Sequence, residues 1–313
     1  MLRIRTPSRL HMTLIDMNGE IGRIDGGIGI TLDKPYIEIT AKKSDTVTVK
    51  GDPDLRERMR KACEAFGPGY GVEIDIKKSY WNHIGLGSGT QAALAAGTAV
   101  AKLYGLDMSS AEVALKVGRG GLSGVGIGAF DKGGFILDGG HKTSVKKAFL
   151  PDSFADGVPP APLIMSCPFP DWDIVLATLP MKGAHDLYEK DVFARTCPLP
   201  LREIERLSHI ILMQMLPSIV EKDLEAFGTA LNAIQGVGFK KREVDLQPGA
   251  CEILRVMTEA GAPGAGMSSF GPTVFAVTDR SGPIMSEVKS NCPDCMVMKT
   301  RARNSGADIE CLP

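Results

Sequence analysis

The segment Ile84-Gly-Leu-Gly-Ser-Gly-Thr-Gln91, which runs directly into the alanine-rich residues 92–102, is the strongest indication of the fold. Its alternating glycines let backbone N–H groups approach a ligand without a Cβ in the way, and an alanine-rich helix should follow them. Because a helix N-terminus carries unpaired N–H groups and partial positive charge, the segment predicts a phosphate site. A tight turn before a buried helix is the alternative that the segment alone leaves open. The predicted phosphate-binding residues are Gly85, Leu86, Gly87, Ser88, Gly89 and Thr90.

The commonest families with glycine-rich loops do not fit this segment. A P-loop needs a lysine directly after its last glycine, and no lysine lies between Lys78 and Lys102. A dinucleotide-binding turn needs a second strand where the sequence predicts the helix to continue. The G-x-S-x-G pattern of serine hydrolases is absent around Ser88 and Ser268.

Composition points to a globular protein of ordinary type. The chain has 313 residues, 43% of them hydrophobic and 23% charged, which suits two packed domains. A net charge of −1 argues against a nucleic-acid partner. There is no apolar run long enough to span a membrane, and the first residues lack the apolar core of a signal peptide. We therefore expect a cytoplasmic location and no membrane partner.

The seven cysteines predict free thiols rather than a disulfide framework, because their number is odd and no secretion signal is seen. Cys292 and Cys295 have the spacing of half a zinc site. No histidine follows His209 and only Cys311 follows Cys295, so a second ligand pair is missing nearby. We interpret these cysteines as structural or incidental.

Strand and helix patterns occur in both halves of the chain, which predicts an α+β fold of two domains, residues 1–155 and 156–313. In the first half we expect strands at residues 2–6 and 28–32 around a polar turn, a hairpin over residues 36–50, and a loop with a hairpin at residues 120–140. In the second half we expect helices at residues 199–216, 219–234 and 248–260. The proline-rich residues 151–162 are the predicted linker.

Three motifs in this order, an N-terminal polar segment, the G-L-G-S loop and a late G-A-G-x-S-S-x-G segment, resemble the GHMP small-molecule kinase superfamily. The resemblance implies an N-terminal domain like domain 2 of ribosomal protein S5 and a ferredoxin-like C-terminal domain. It also implies that the third motif reaches the phosphates. Its predicted phosphate-binding residues are Gly264, Gly266, Met267, Ser268, Ser269 and Gly271.

Two departures from the superfamily pattern bear on the activity. Arg9 stands where the kinases usually place a lysine, and Gly126 stands where many of them carry a catalytic aspartate. A hydroxyl that attacks ATP benefits from a base or a nearby charge, and glycine supplies neither. The sequence therefore predicts a retained phosphate site without the usual kinase chemistry.

The segments from Thr6 to Gly29 and from Arg119 to Phe130 resemble the β-ribofuranosylaminobenzene 5′-phosphate synthase branch of that superfamily. This resemblance implies that phosphoribosyl pyrophosphate (PRPP) condenses with 4-hydroxybenzoate or 4-aminobenzoate. Carbon dioxide and pyrophosphate are released, and the product is a C-riboside for methanopterin biosynthesis. Two alternatives remain: an ATP-dependent small-molecule kinase with an acid from elsewhere, and an inert member that binds a phosphorylated metabolite and regulates a partner.

That chemistry assigns roles to residues of the first motif and its neighbours. Asp16 or Asp25 could stabilise the ribosyl cation, as carboxylates do in glycosidases. His11 or His83 could hydrogen-bond the phenol or amine of the arene. The resemblance implies Mg²⁺ bound with PRPP, no organic cofactor, small-molecule substrates and a possible homodimer. The predicted catalytic residues are Arg9, His11, Asp16 and Asp25, the substrate-binding residues are Arg23, His83 and Arg119, and the metal ligand is Ser88.

Overall fold

The computed structural model describes residues 1–155, 157–181 and 187–313, which build two β-sheets with helices packed against them. In the first sheet a long hairpin of β1 (Leu2–Asp16) and β2 (Arg23–Lys43) forms the centre. The remaining strands are β3 (Thr48–Lys50), β4 (Val72–Lys78), β5 (Phe135–Asp138), β6 (His141–Lys142), β7 (Leu163–Cys167) and β12 (Asp308–Cys311). Their order is β12-β1-β2-β4-β3, while β5 and β6 also pair with β2, and β7 pairs with β5.

The polar first motif is part of this hairpin, so the prediction of a polar turn there is wrong. The strands β1 and β2 stay paired from Leu2 and Ala41 down to Asp16 and Asp25. Alternate residues of β1 such as Leu10 are fully buried, so the strand is held by its apolar face. The predicted hairpin over residues 36–50 is also wrong, because β3 pairs in parallel with β4.

Helices of the first half pack over this sheet. They are α1 (Pro53–Glu64), α2 (Ser88–Tyr104), α3 (Ser110–Lys116) and α4 (Val125–Asp131). The predicted alanine-rich helix is confirmed as α2. The prediction of a loop for residues 120–140 is wrong in part, since α4 and β5 lie there. A Cβ at Gly128 would come within 2.8 Å of Ile136 Cγ2, so the glycines of α4 allow close packing on the sheet.

The second sheet is antiparallel, in the order β11-β8-β10-β9. Its strands are β8 (Asp173–Thr178), β9 (Gly264–Met267), β10 (Thr273–Thr278) and β11 (Met296–Arg301). The helices of this half are α5 (Leu187–Thr196), α6 (Leu201–Ile210), α7 (Leu216–Glu221), α8 (Leu224–Gln235), α9 (Gly238–Asp245), α10 (Pro248–Glu259) and α11 (Ser281–Asn291).

Two features of this half differ from the predicted helices. The helix predicted over residues 219–234 is divided, because Lys222 adopts a left-handed conformation and Asp223 caps α8. The short helices α5 and α9 were not predicted. Along the described residues, there is no helix long and apolar enough to cross a membrane.

The division of the chain at residue 155 stays a prediction, and Asp156 lies outside the described residues. Two strands beyond that point in sequence, β7 and β12, belong to the first sheet. Cys292 and Cys295 form a disulfide, so the prediction that all cysteines are free thiols is wrong for this pair. The two Cα atoms lie 5.4 Å apart just after α11, which is a separation that a disulfide bond spans.

Candidate active site

The predicted phosphate loop leads into the N-terminus of α2 as the sequence indicates. Gly87 precedes the helix with φ 79° and Gly85 has φ 83°, conformations that favour glycine. Within the described chain no side chain caps this helix end. Ser88 donates its hydroxyl proton to Asn82 Oδ1 at 2.6 Å, so the oxygen lone pairs of Ser88 stay available. The loop therefore offers N–H donors and a partial positive charge to an anion.

Arg9 lies directly beneath this loop. Its Nη1 donates to the Gly85 carbonyl at 2.6 Å, and its backbone N–H donates to the Leu86 carbonyl at 3.2 Å. A Cβ at Gly87 would lie 3.2 Å from Arg9 Cζ, so the glycine leaves room for the guanidinium. Burial lowers the pKa of Arg9 from its ordinary value. Arg9 thus belongs to the site and is not a surface residue.

The third motif joins the first two through its serines. Ser268 donates its hydroxyl proton to the Gly85 carbonyl at 2.7 Å and accepts the His11 backbone N–H at 2.9 Å. The backbone N–H of Ser269 donates to the His11 carbonyl at 2.8 Å. These bonds bring all three motifs together at one place, although they are far apart in sequence.

The glycines in the strand part of the third motif are explained by close packing and by a turn, unlike the serines that contact the loop. Gly264 and Gly266 lie in β9, where Cβ atoms would meet Gly228 Cα at 2.5 Å and Gln235 Nε2 at 2.8 Å, both on α8. Met267 is a buried core residue of the same strand. Gly271, which has φ 72°, turns the chain toward β10. We therefore attribute these positions to packing and to the turn, while Ser268 and Ser269 reach the loop.

A cavity lies between the first motif, the start of α2 and the third motif. His11 faces it with a fully buried ring, and neither ring nitrogen has a hydrogen-bond partner among the described residues. Burial, followed by the charges of Arg9 and Lys240, holds the pKa of His11 well below 6.5, so the imidazole is neutral. A neutral ring keeps one donor and one acceptor for a bound molecule. The apolar walls of this cavity are Leu14, Leu122 and Phe270.

Gly126 also lines this cavity. A Cβ at that position would lie 3.1 Å from Thr90 Cγ2, beside the start of α2. The position at which the kinases carry aspartate therefore faces the site, and here it holds no carboxylate.

A second cavity, of about 180 Å³, lies over the phosphate loop. It contains two of the predicted substrate-binding residues, His83 and Arg119, and also Arg58, which the sequence analysis missed. The two cavities adjoin, because six residues line both. The shared residues are Arg9, Thr90, Leu122, Asp152, Glu189 and Ser269.

Two carboxylates on the shared wall were missed, because Asp152 lies in the predicted linker and the segment of Glu189 was assigned to no element. Asp152 accepts the backbone N–H groups of Gly120 and Gly121 at 3.0 and 2.9 Å and pairs with Arg119 Nη1 at 2.9 Å. Glu189 lies on α5 at the same wall. The described residues form no group of three or more potential metal ligands. Mg²⁺ carried by substrate phosphates needs only one or two carboxylates and keeps several waters, and this wall fits that requirement.

A buried ion pair supports the third motif from behind. Lys240 is completely buried, pairs with Glu243, and donates from Nζ to the Ser269 carbonyl at 3.1 Å. Burial lowers the pKa of Lys240 and raises that of Glu243, which lines the cavity. No local pattern predicts this pair, because Lys240 is buried while the adjoining Lys241 is an ordinary exposed charge.

Three of the predicted catalytic and substrate-binding residues line neither cavity: Asp16, Arg23 and Asp25. Asp16 accepts the backbone N–H groups of Asn18 and Gly19, and Arg23 donates to the carbonyls of Gly139 and Gly140. The buried carboxylate of Asp25 contacts His141 Nδ1 at 2.7 Å and Lys146 Nζ at 2.9 Å. These side chains hold the end of the β1–β2 hairpin and the segment after β5, and the structure does not place them in the lining of either cavity.

Comparisons with known proteins agree with this architecture. Residues 55–138 match the family described as the GHMP kinases N terminal domain, and residues 215–294 match GHMP kinases C terminal. The β-ribofuranosylphenol 5′-phosphate synthase of Archaeoglobus fulgidus is 47% identical over 99% of this chain and 100% of its own length. That of Methanothermobacter thermautotrophicus is 45% identical over 98% of each chain. The chain belongs to the β-ribofuranosylphenol 5′-phosphate synthase family.

Members of this synthase family are enzymes, so the chain is one, and the predicted two-domain α+β fold is confirmed. Solved kinases share the fold. Homoserine kinase from Cytophaga hutchinsonii has a TM-score of 0.67 at 16% identity, covering 99% of this chain and 97% of that one. L. major mevalonate kinase has a TM-score of 0.67 at 16% identity and covers 96% of each chain. At these identities the likeness shows the fold alone.

Proposed function

We propose that, of the two predicted benzoates, the chain condenses 4-hydroxybenzoate rather than 4-aminobenzoate with PRPP to give a β-ribofuranosylphenol 5′-phosphate, with release of CO₂ and pyrophosphate. The name of its full-length relatives supports this product, because a phenol ring results from 4-hydroxybenzoate and an aniline ring would result from 4-aminobenzoate. The place of the reaction is methanopterin biosynthesis. Cytoplasmic location and a homodimer stay predictions.

The proposed reaction balances without ATP and without an oxidant. The ring carbon that bears the carboxylate attacks C1 of the ribose, and the bond from C1 to the pyrophosphate oxygen breaks with its electron pair on that oxygen. The bond from the ring to the carboxylate then breaks, and its electron pair restores aromaticity as CO₂ leaves. The protein must therefore hold an anion, stabilise positive charge at C1 and orient an arene.

One observation carries the proposal: a neutral, unpartnered His11 in a cavity with apolar walls that opens onto the phosphate loop. Leu14, Leu122 and Phe270 suit the faces of a benzene ring, while the imidazole can hydrogen-bond its hydroxyl or carboxylate. A charged imidazolium in the same place would hinder electron release from the phenol. A small alcohol bound for phosphorylation would not need these apolar walls.

The carboxylates of the shared wall replace Asp16 and Asp25 as candidates for stabilising the ribosyl cation. Asp152 and Glu189 line the junction of the arene cavity and the loop cavity, which is where C1 would lie. Mg²⁺, when bound with PRPP, would neutralise the charge on the leaving pyrophosphate. Ser88 and one of the two carboxylates are the oxygen donors that would hold it, which leaves the other carboxylate to face C1.

Incubation with PRPP and carboxyl-labelled 4-hydroxybenzoate tests the proposal. We expect labelled CO₂ and one pyrophosphate per labelled molecule, in the absence of ATP. A parallel incubation with ATP and homoserine or mevalonate, the substrate alcohols of the structural relatives, should give no phosphorylated product. Phosphorylation of an alcohol without labelled CO₂ would replace the proposal with the kinase alternative.

A further inference from the structure

Arg58 stands out among the cationic side chains around the loop cavity. It extends from α1 into this cavity, and among the described residues it has no hydrogen bond and no ion pair. Arg60, on the same helix, pairs with Glu57 and Glu64. A partly buried guanidinium beside a phosphate loop, with its donors unused, is a ready partner for phosphate oxygens.

Gly89 makes this position of Arg58 possible. A Cβ at residue 89 would lie 2.5 Å from Arg58 Nη1 and 2.9 Å from its Cζ, so the guanidinium rests against the first turn of α2. Gly89 is a helical residue, where alanine is otherwise the better helix former. The glycine is therefore explained by the space that Arg58 occupies.

The proposed reaction indicates which part of PRPP would lie toward Arg58. PRPP carries its pyrophosphate on the α face of C1, and the relatives are named for a β-ribofuranosyl product. A direct displacement places the arene and the leaving group on opposite faces of the sugar ring. With the arene beside His11, the pyrophosphate extends from C1 away from that cavity, over the loop and toward Arg58.

We propose that Arg58, which rests against Gly89 in the cavity that Arg119 also lines, binds the leaving pyrophosphate and not the 5′-phosphate. This inference rests on the proposed function, because the direction comes from the displacement at C1. Arg119, which pairs with Asp152 at 2.9 Å, lines the same cavity, so both guanidinium groups can contact an anion bound there. The bond that breaks is the one from C1 to the pyrophosphate oxygen. The guanidinium groups of Arg58 and Arg119 neutralise the negative charge that appears on that oxygen.

Calorimetric binding of two ligands, each with Mg²⁺, separates the two ends of PRPP: pyrophosphate and ribose 5-phosphate. For Arg58→Met we expect at least a tenfold weaker Kd for pyrophosphate and a Kd for ribose 5-phosphate within twofold of wild type. Arg56→Met is the matched control, because Arg56 is exposed on the same helix and lines neither cavity. Its two Kd values should equal those of wild type.

Gly89→Ala provides a second test that removes no charge. The added methyl should displace the guanidinium, weaken pyrophosphate binding in the same direction, and leave the melting temperature equal or higher. Unchanged pyrophosphate binding in Arg58→Met, or loss confined to ribose 5-phosphate, would overturn the assignment. If wild type binds neither ligand nor PRPP, the proposed function itself fails. That result is distinct from failure of the role proposed for Arg58, in which wild type binds pyrophosphate and Arg58→Met binds it equally well.

Discussion

At the scale of single residues, His11 links the stability of the protein to its chemistry. Its ring is buried and neutral in the folded state, and the nearby charges of Arg9 and Lys240 oppose protonation. In the unfolded chain the same ring takes up a proton near its ordinary pKa. The unfolded state therefore binds more protons as the pH falls through about 6.5, and the free energy of unfolding decreases there.

Replacing His11 with glutamine should remove this contribution. We expect His11→Gln to lose less stability than wild type between about pH 8 and pH 5, as measured by urea denaturation at each pH. His209→Gln is the control, because His209 is exposed on α6 and its removal should leave the pH dependence unchanged. Equal pH slopes for wild type and His11→Gln would show that the ring is not held neutral.

The sequence predicted some of these residues and not others for a physical reason. Arg9 and His11 were found because they lie in a compact polar motif that the strand pattern and the resemblance both single out. Asp25 was an equally suitable candidate for stabilising the ribosyl cation. Its burial with His141 and Lys146 depends on where the chain returns after β5, which local sequence does not show. Arg58 and Lys240 were missed because neighbouring charges in their helices are ordinary exposed ones.

At the scale of elements, the turn from the phosphate loop into α2 can be tested with two glycines of the same backbone conformation. Gly87 and Gly105 flank α2 with φ 79° and 68°, and a Cβ at Gly105 meets nothing within 4 Å. Valine in a left-handed conformation costs about 1–2 kcal/mol, so Gly105→Val should be destabilised by that amount and Gly87→Val by at least as much, since its side chain also meets Arg9.

Only Gly87→Val should weaken PRPP binding, because its side chain meets Arg9 and covers the N–H groups of the loop. We expect at least a tenfold increase in Kd, about 1.4 kcal/mol, by calorimetry on the folded variants. Equal PRPP affinity in both variants would place the substrate phosphates elsewhere.

Elements with a strong local signal, such as α2, were predicted well. The helix α4 was not, because its glycines resemble a loop until the close approach of Gly128 to Ile136 on β5 is known. The parallel pairing of β3 with β4 was also beyond local patterns, since a hairpin is the default for adjacent strands.

At the scale of the whole molecule, function depends on contacts between distant parts of the chain. The hydroxyl of Ser268 joins the second half to Gly85 in the first, and β12 closes the first sheet by pairing with β1. The resemblance to the GHMP superfamily implied that the three segments meet. The adjoining positions of a cavity with apolar walls and a cavity over the phosphate loop could be seen only once both halves were assembled.

The central claim is that a ring carbon displaces pyrophosphate and loses its carboxylate. Carbon-13 NMR tests it most directly, with PRPP labelled at C1 of the ribose and 4-hydroxybenzoate labelled at the ring carbon that bears the carboxylate. The account predicts a one-bond carbon–carbon coupling between the two labels in the product. Two labels without that coupling, with C1 bonded to an oxygen of an intact 4-hydroxybenzoate, would contradict it.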